Sequence, residues 1–216
     1  MPDLEVPQLD PDLGTRLSVS DYRADFREVR AGVEGRDSWK LERAQHFEET
    51  RDGSRQALRE GDWERALALL EEDRENLARM AAEDERKRSF FHRVRIVEEP
   101  LSFYVQWELH ALRLAAEQGG RVRVVTEPRV RRFEAEGPLP ELVVLGGRVL
   151  YRVCYTPEGV PDGGVRFTEP GVVAAWEGFI RRLYEQGEDV TAYFAREVAP
   201  LPAPTLPLGG PAHHPA

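Results

Sequence analysis

The spacing of hydrophobic positions changes several times along the chain, and each change marks an element. Between residues 18 and 31, Val19, Tyr22, Phe26 and Val29 recur every three or four residues behind Ser18 and Ser20, either of which can cap a helix. Gly32 and Gly35 close that helix. Residues 38–43 begin by alternating, with Trp39 and Leu41 apolar and their neighbours polar, which predicts a strand. A short helix follows over 51–60, ended by Gly61. Asp62 then caps a long helix from Trp63 to about residue 88, with Trp63, Ala66, Leu67, Leu70, Leu77 and Met80 on one stripe and acids and arginines opposite.

Residues 93–125 carry the clearest pattern. A strand over 93–97 runs into the Glu98-Glu99-Pro100 break. A helix follows to about residue 118, with Val105, Leu109, Leu112 and Ala116 on one face and Phe103, Trp107 and Leu114 widening it. Gly119-Gly120 ends it, and 121–125 is the next strand, so the block reads as a compact βαβ unit. Residues 142–145 and 148–155 flank Gly146-Gly147 as a β-hairpin. The turn-rich loop 156–164 leads to a short strand at 165–167. Glu169-Pro170 opens a strongly amphipathic helix to about residue 186, and a last short helix spans 189–197.

These elements predict an α+β or α/β fold: a mixed sheet of about five strands flanked by helices. Residues 16–92 form a helical section that packs on a core domain, 93–198. The Pro-rich ends, 1–15 and 199–216, read as disordered tails.

Composition narrows the chemistry. A net charge of −9 argues against bulk attraction to phosphate backbones, so no direct nucleic-acid binding is expected. The chain holds 28 arginines and two lysines, Lys40 and Lys87. Both lysines lie in charged surroundings that read as solvent-facing rather than desolvated. Cys154 is the sole cysteine, which excludes an intramolecular disulfide, and its apolar run reads as a buried, inert thiol. The five histidines show neither HxxxH nor HExxH spacing. No phosphate loop or GxSxG elbow is present, and neither metal nor cofactor is expected. The N-terminus lacks a signal-peptide pattern and no stretch approaches the ~20 apolar residues of a membrane span, so a cytoplasmic protein without membrane contact is expected.

The candidate site residues are Glu98, Glu99, Tyr104, Trp107 and Glu108, at the C-terminal end of a strand and the start of the helix it feeds, where α/β sheets place ligands. Two readings stand side by side. The carboxylates either serve the helix N-terminus or touch a ligand or partner. The aromatics are either core or a binding platform.

The block at 93–125, the hairpin LVVLGGRVLYRVCYTPEG and the closing EPGVVAAWEGFIRRLYEQGEDV, in that order, resemble an uncharacterised actinobacterial family. Its members are often encoded beside helix-turn-helix regulators. The second half is also similar to phospholipase-D-like sensor domains, in which such a hairpin precedes a helix bearing Trp-Glu, here Trp176-Glu177. Catalytic members of that superfamily need His-x-Lys, and no histidine here has lysine two residues on, so the resemblance implies a scaffold without that covalent chemistry. It implies a non-enzymatic regulatory or interaction protein, acting in transcription regulation with a helix-turn-helix partner. The alternative is a small-molecule sensor or carboxylate-based enzyme with a pocket near Glu98–Glu108. A third reading has the stripe on the long helix mediating a homodimer.

Overall fold

The computed structural model describes residues 4–48 and 52–204. Among these residues the chain forms eight α-helices and one eight-stranded mixed sheet, larger than the sheet of about five strands expected. The strands are β1 (Thr15–Leu17), β2 (Ser38–Glu42), β3 (Phe91–Val97), β4 (Arg121–Thr126), β5 (Leu142–Leu145), β6 (Val149–Tyr155), β7 (Pro161–Phe167) and β8 (Glu188–Asp189), in the spatial order β1-β7-β6-β5-β2-β3-β4-β8. β2, β3 and β4 are parallel; every other neighbouring pair is antiparallel. The strands that escaped prediction are the two edges. β1 and β8 have three and two residues, too few for a period to show.

The helices are α1 (Val19–Ala31), α2 (Gly53–Arg59), α3 (Trp63–Glu72), α4 (Arg74–Lys87), α5 (Phe103–Glu117), α6 (Glu127–Val130), α7 (Pro170–Gln186) and α8 (Val190–Tyr193). Most ends follow from capping chemistry. Ser18, Asp52, Asp62, Ser102 and Glu169 each accept a backbone N–H of the first turn of α1, α2, α3, α5 and α7. The expected continuous helix from residue 63 to 88 is two helices that meet at Asp73. The Asp73 N–H bonds to Leu70 O, three residues back, instead of completing the α pattern. Aspartate competes with the backbone for hydrogen bonds and so favours such junctions over helix interiors.

Side-chain alternation sorts the sheet into two faces. On the first, Trp39, Leu41, Val94, Ile96, Val125, Leu142 and Val144 meet the α7 stripe of Trp176, Phe179, Ile180 and Leu183. On the second, two separate clusters form. α5 and α8 cover Val97, Val122 and Val124 at the parallel end. α1 lays Tyr22, Phe26 and Val29 over Val143, Leu145 and Tyr151 at the antiparallel end.

This arrangement alters two expectations about organisation. β2, from the anticipated helical section, lies between β5 and β3 in the middle of the sheet, so 16–92 and 93–198 share one sheet rather than packing as two units. The N-terminal segment is also part of the fold from residue 4 onward. Leu4, Val6 and Leu9 pack on the α7-side core, and β1 pairs with β7. Gly163 makes that last pairing feasible. It sits at φ +80, and a Cβ there would lie 2.2 Å from the carbonyl oxygen of Leu17. The expected C-terminal tail lies outside the described residues from 205 onward, as do His213 and His214.

Candidate functional site

The central strands carry the anomaly of this fold. Facing α5 and α1, β2 presents Ser38, Lys40 and Glu42, while β3 presents Phe91, Arg93 and Arg95. Charged side chains thus occupy the middle of a sheet face whose two ends are apolar. Lys40 and Arg93 both pair with Glu42, Arg93 at 3.1 Å. Arg95 Nε donates to Glu108 Oε2 at 2.6 Å, and Arg95 Nη1 donates to the carbonyl oxygen of Ile96 at 2.9 Å. Arg95 is completely buried and Glu108 is 6% exposed.

Burial alone would raise the Glu42 carboxyl, but Arg93, Lys40 and Arg95 outweigh it and hold Glu42 below the usual carboxylate range. Burial raises Glu108, with Arg95 opposing. Burial works against the charge of Arg95, and Glu108 and Glu42 more than offset it, so Arg95 stays cationic.

Above Lys40 and Arg93 lies a groove of about 560 Å³ between α1, α4 and α5. Its walls are largely apolar: Tyr22 and Phe26 from α1, Leu77, Met80 and Ala81 from α4, Leu112 and Ala115 from α5, with Val143 and Val153 on the floor. Burial pushes the Tyr22 phenol up to about 12. A smaller cavity of about 270 Å³ has Leu70, Asp73, Trp107, Glu108 and Leu114 in its lining and shares Lys40, Leu77, Arg93 and Leu112 with the groove. α4 is fastened on both flanks. Arg30 of α1 bonds Asp84 at 2.7 Å, and Arg74 approaches Glu117 of α5 at 3.3 Å.

Lys40 therefore does not face solvent as expected. Its side chain is 24% exposed and ion-paired on the groove floor. The strand prediction already contained the signal. If Trp39 and Leu41 face α7, then Ser38, Lys40 and Glu42 must point the other way, and in a central strand that direction is also covered. What the sequence lacks is the information that β2 is central.

The five candidate residues fall into different surroundings. Glu98 is half-exposed on its side-chain surface and bonds Arg43 Nη1 at 2.5 Å. Glu99 is exposed and accepts the Tyr193 hydroxyl at 3.0 Å. Tyr104 and Trp107 are core residues, and Trp107 Nε1 donates to Ser54 Oγ at 2.8 Å. Glu108 turns inward to Arg95 and the smaller cavity. Glu99 and Glu108 do not converge. Neither Glu98 nor Glu99 caps α5, because the helix starts at Phe103 and Ser102 supplies the cap.

A second, more open concavity of about 780 Å³ lies past the C-terminal end of β2. Arg43 bonds Glu134 there through Nε at 2.6 Å and Nη2 at 3.0 Å. Glu141 accepts the backbone N–H groups of Arg43 and Ala44 at 2.7 and 2.6 Å. Withdrawal from water pushes the Glu141 carboxyl up to about 7, assisted by the Glu42 charge and opposed by the amides and by Arg95. Cys154 lines this concavity and is partly exposed, not buried as its apolar run suggested. The β6–β7 register shifts between Val153 and Tyr155, which interrupts the regular pairing of the strand at Cys154.

Among the described residues no group of three or more His, Cys, Asp or Glu is placed to hold a metal ion, and no helix is long and apolar enough to cross a membrane. The model of a domain of unknown function, DUF6879, matches residues 24–195. The chain belongs to the DUF6879 family. That match runs from within α1 to just past α8, and takes in the groove lining apart from Val19, Tyr22 and Arg23. The search of curated proteins found no match.

Proposed function

We propose that this DUF6879 protein is a non-enzymatic regulatory protein that binds a small molecule in the α1–α4–α5 groove and passes the signal to a protein partner. The observation that carries the reading is the groove itself. Its volume of about 560 Å³ lies in the range of small-molecule sites, and apolar walls surround a few fixed polar groups, as in such sites generally. The charged floor is held rigidly by β2 and β3 in the middle of the sheet. Burying charges there is costly without a use for them, which favours a functional reading of Lys40 and Arg93 over a purely structural one.

The partner in this reading is a helix-turn-helix regulator in the cytoplasm, and the acidic surface of a chain with net charge −9 suits a basic partner face. The likeness of the hairpin and the Trp176-Glu177 helix to phospholipase-D-like sensor domains supports the sensing role. α4 is the element suited to transmit occupancy. It forms one wall of the groove, is tied to both flanks by ion pairs, and exposes Met80 to solvent at 57%.

The test is a thermal-shift screen of a small-molecule library with the full chain and with Ala81→Trp, which fills the groove from α4. Compounds that raise Tm in the parent chain and not in Ala81→Trp support the reading. A screen whose hits are indifferent to Ala81→Trp refutes it. Recovery of a helix-turn-helix protein on the tagged chain, altered by such a compound, tests the partner.

A further inference from the structure

The charges around the groove allow its occupant to be described more closely. The inference rests on the small-molecule reading above. Five basic side chains line the groove, Arg23, Arg30, Lys40, Arg93 and Arg121, against a single acid, Asp84. Arg30 is taken up by Asp84. Lys40 and Arg93 share one carboxylate, Glu42, which lies just beyond the lining. Arg23 and Arg121 have no ion pair among the described residues, and the Arg121 guanidinium lies over the Phe90 ring, 3.4 Å from its centroid. The groove is thus a cationic enclave in a protein of net charge −9.

An occupant with a negative charge would relieve an unfavourable feature: it would give the Lys40–Arg93 pair the second carboxylate it lacks. The rest of the lining asks for something different. Tyr22, Phe26, Leu77, Ala81, Leu112 and Val143 offer hydrocarbon and aromatic surface with little to accept or donate a hydrogen bond. Lys40 and Arg93 stand on β2 and β3 at the floor, Arg23 and the Asp84-paired Arg30 stand on α1, and the apolar walls come chiefly from the three helices.

We infer that the groove takes an amphipathic acid, a molecule with an apolar body and one anionic head, seated with the head toward Lys40 and Arg93 and the body between α1, α4 and α5. A neutral apolar compound would leave the cations uncompensated, and a cationic amphiphile would meet them directly. The head chemistry common to a carboxylate and a phosphate ester is the same for this purpose, and matched probes separate them.

The experiment is isothermal titration of the full-length chain with dodecanoate, dodecyl phosphate, dodecanol and dodecylammonium, each below its micelle concentration, at low and at physiological salt. The expected result is binding of one or both anions at least tenfold tighter than dodecanol, with no binding of dodecylammonium. Lys40→Met and Arg93→Gln should each weaken anion binding by about tenfold, and circular dichroism checks that both variants fold. Arg93 is partly exposed on the groove floor, so its variant remains informative if Lys40→Met unfolds. Dodecanol binding as tightly as the anions, with the Ala81→Trp variant blocking it, would overturn the anionic head and leave the small-molecule site standing. Absence of binding by all four probes would overturn both. Anion binding unchanged in Lys40→Met and Arg93→Gln would place the head elsewhere and overturn the assignment.

Discussion

Glu108→Gln is the most informative single change for the stability of the central sheet. Arg95 is fully buried and Glu108 nearly so, and their contact at 2.6 Å is the strongest bond that either makes. Lys40, Arg93 and Arg95 currently face two carboxylates, Glu42 and Glu108. Removing the Glu108 charge leaves Glu42 alone among three cations. Breaking one partner of a buried pair costs about 3–5 kcal/mol, because the remaining charge stays buried without compensation. The low end, about 3 kcal/mol, applies here, since Arg95 Nη1 keeps the Ile96 carbonyl and Glu42 still attracts the guanidinium. Arg95→Met should cost less, about 2 kcal/mol, because burial already favours the protonated form of Glu108 and an acid left without its cation can neutralise itself. The double variant Arg95→Met/Glu108→Met removes both charges and keeps apolar volume, so it should lie within about 1 kcal/mol of the parent. Urea unfolding followed by tryptophan fluorescence reads all three. With a slope of about 2 kcal/mol per molar, Glu108→Gln should lower the midpoint by roughly 1.5 M. A loss below about 1 kcal/mol, or a double variant worse than both singles, would show that water reaches the pair and would refute the account of the central strands as desolvated.

Three other outcomes follow from the same packing. Glu141 has a higher pKa in the folded chain, about 7, than in the unfolded one, so its protonated form favours folding; that contribution is complete below about pH 4.5 and is lost as pH rises through 7. Glu141→Gln should flatten the fall in Tm over that window and stabilise the chain by about 2 kcal/mol at pH 8, a value discounted for partial contact with solvent; a pH-Tm profile parallel to the parent's would contradict it. His110, packed edge-on against Trp63 and Phe194, is lowered to about 4 by burial and by Arg113, so its neutral form favours folding and that stability is lost as pH falls from about 6.5 through 4. His110→Leu should remove up to about 2 kcal/mol of acid sensitivity, read from urea midpoints at pH 7 and pH 4.5. Trp107→Ala should cost about 3–5 kcal/mol through the cavity it leaves and the lost hydrogen bond to Ser54, with a sharply lower Tm in calorimetry; a near-neutral result would argue that Trp107 is a surface platform after all.

Most of the local elements were determined by the sequence alone. Ser18 announces the start of α1, and the 3–4 spacing of Val172 to Leu183 identifies the face of α7 that is buried. Gly146 and Gly147, at φ +55 and +64, mark the turn of the β5–β6 hairpin because few other residues adopt that conformation. These signals are legible because capping, periodicity and turn conformation act over a few residues. The order of the strands is decided by tertiary structure, and so is everything that depends on it. Lys40 reads as solvent-facing until β2 is found between β5 and β3, with helices over both faces, where it stands beside Glu42, Arg93 and Arg95. The groove is equally invisible in the chain, since its walls come from segments as distant as residues 22, 81, 112 and 143. Glu98, Glu99 and Glu108 are neighbours in sequence but reach Arg43, Tyr193 and Arg95, because a strand end and a helix face carry their side chains to different sides of the molecule. A candidate site chosen by proximity along the chain thus dispersed, and the one assembled by the sheet includes Lys40, whose charged surroundings had read as solvent-facing.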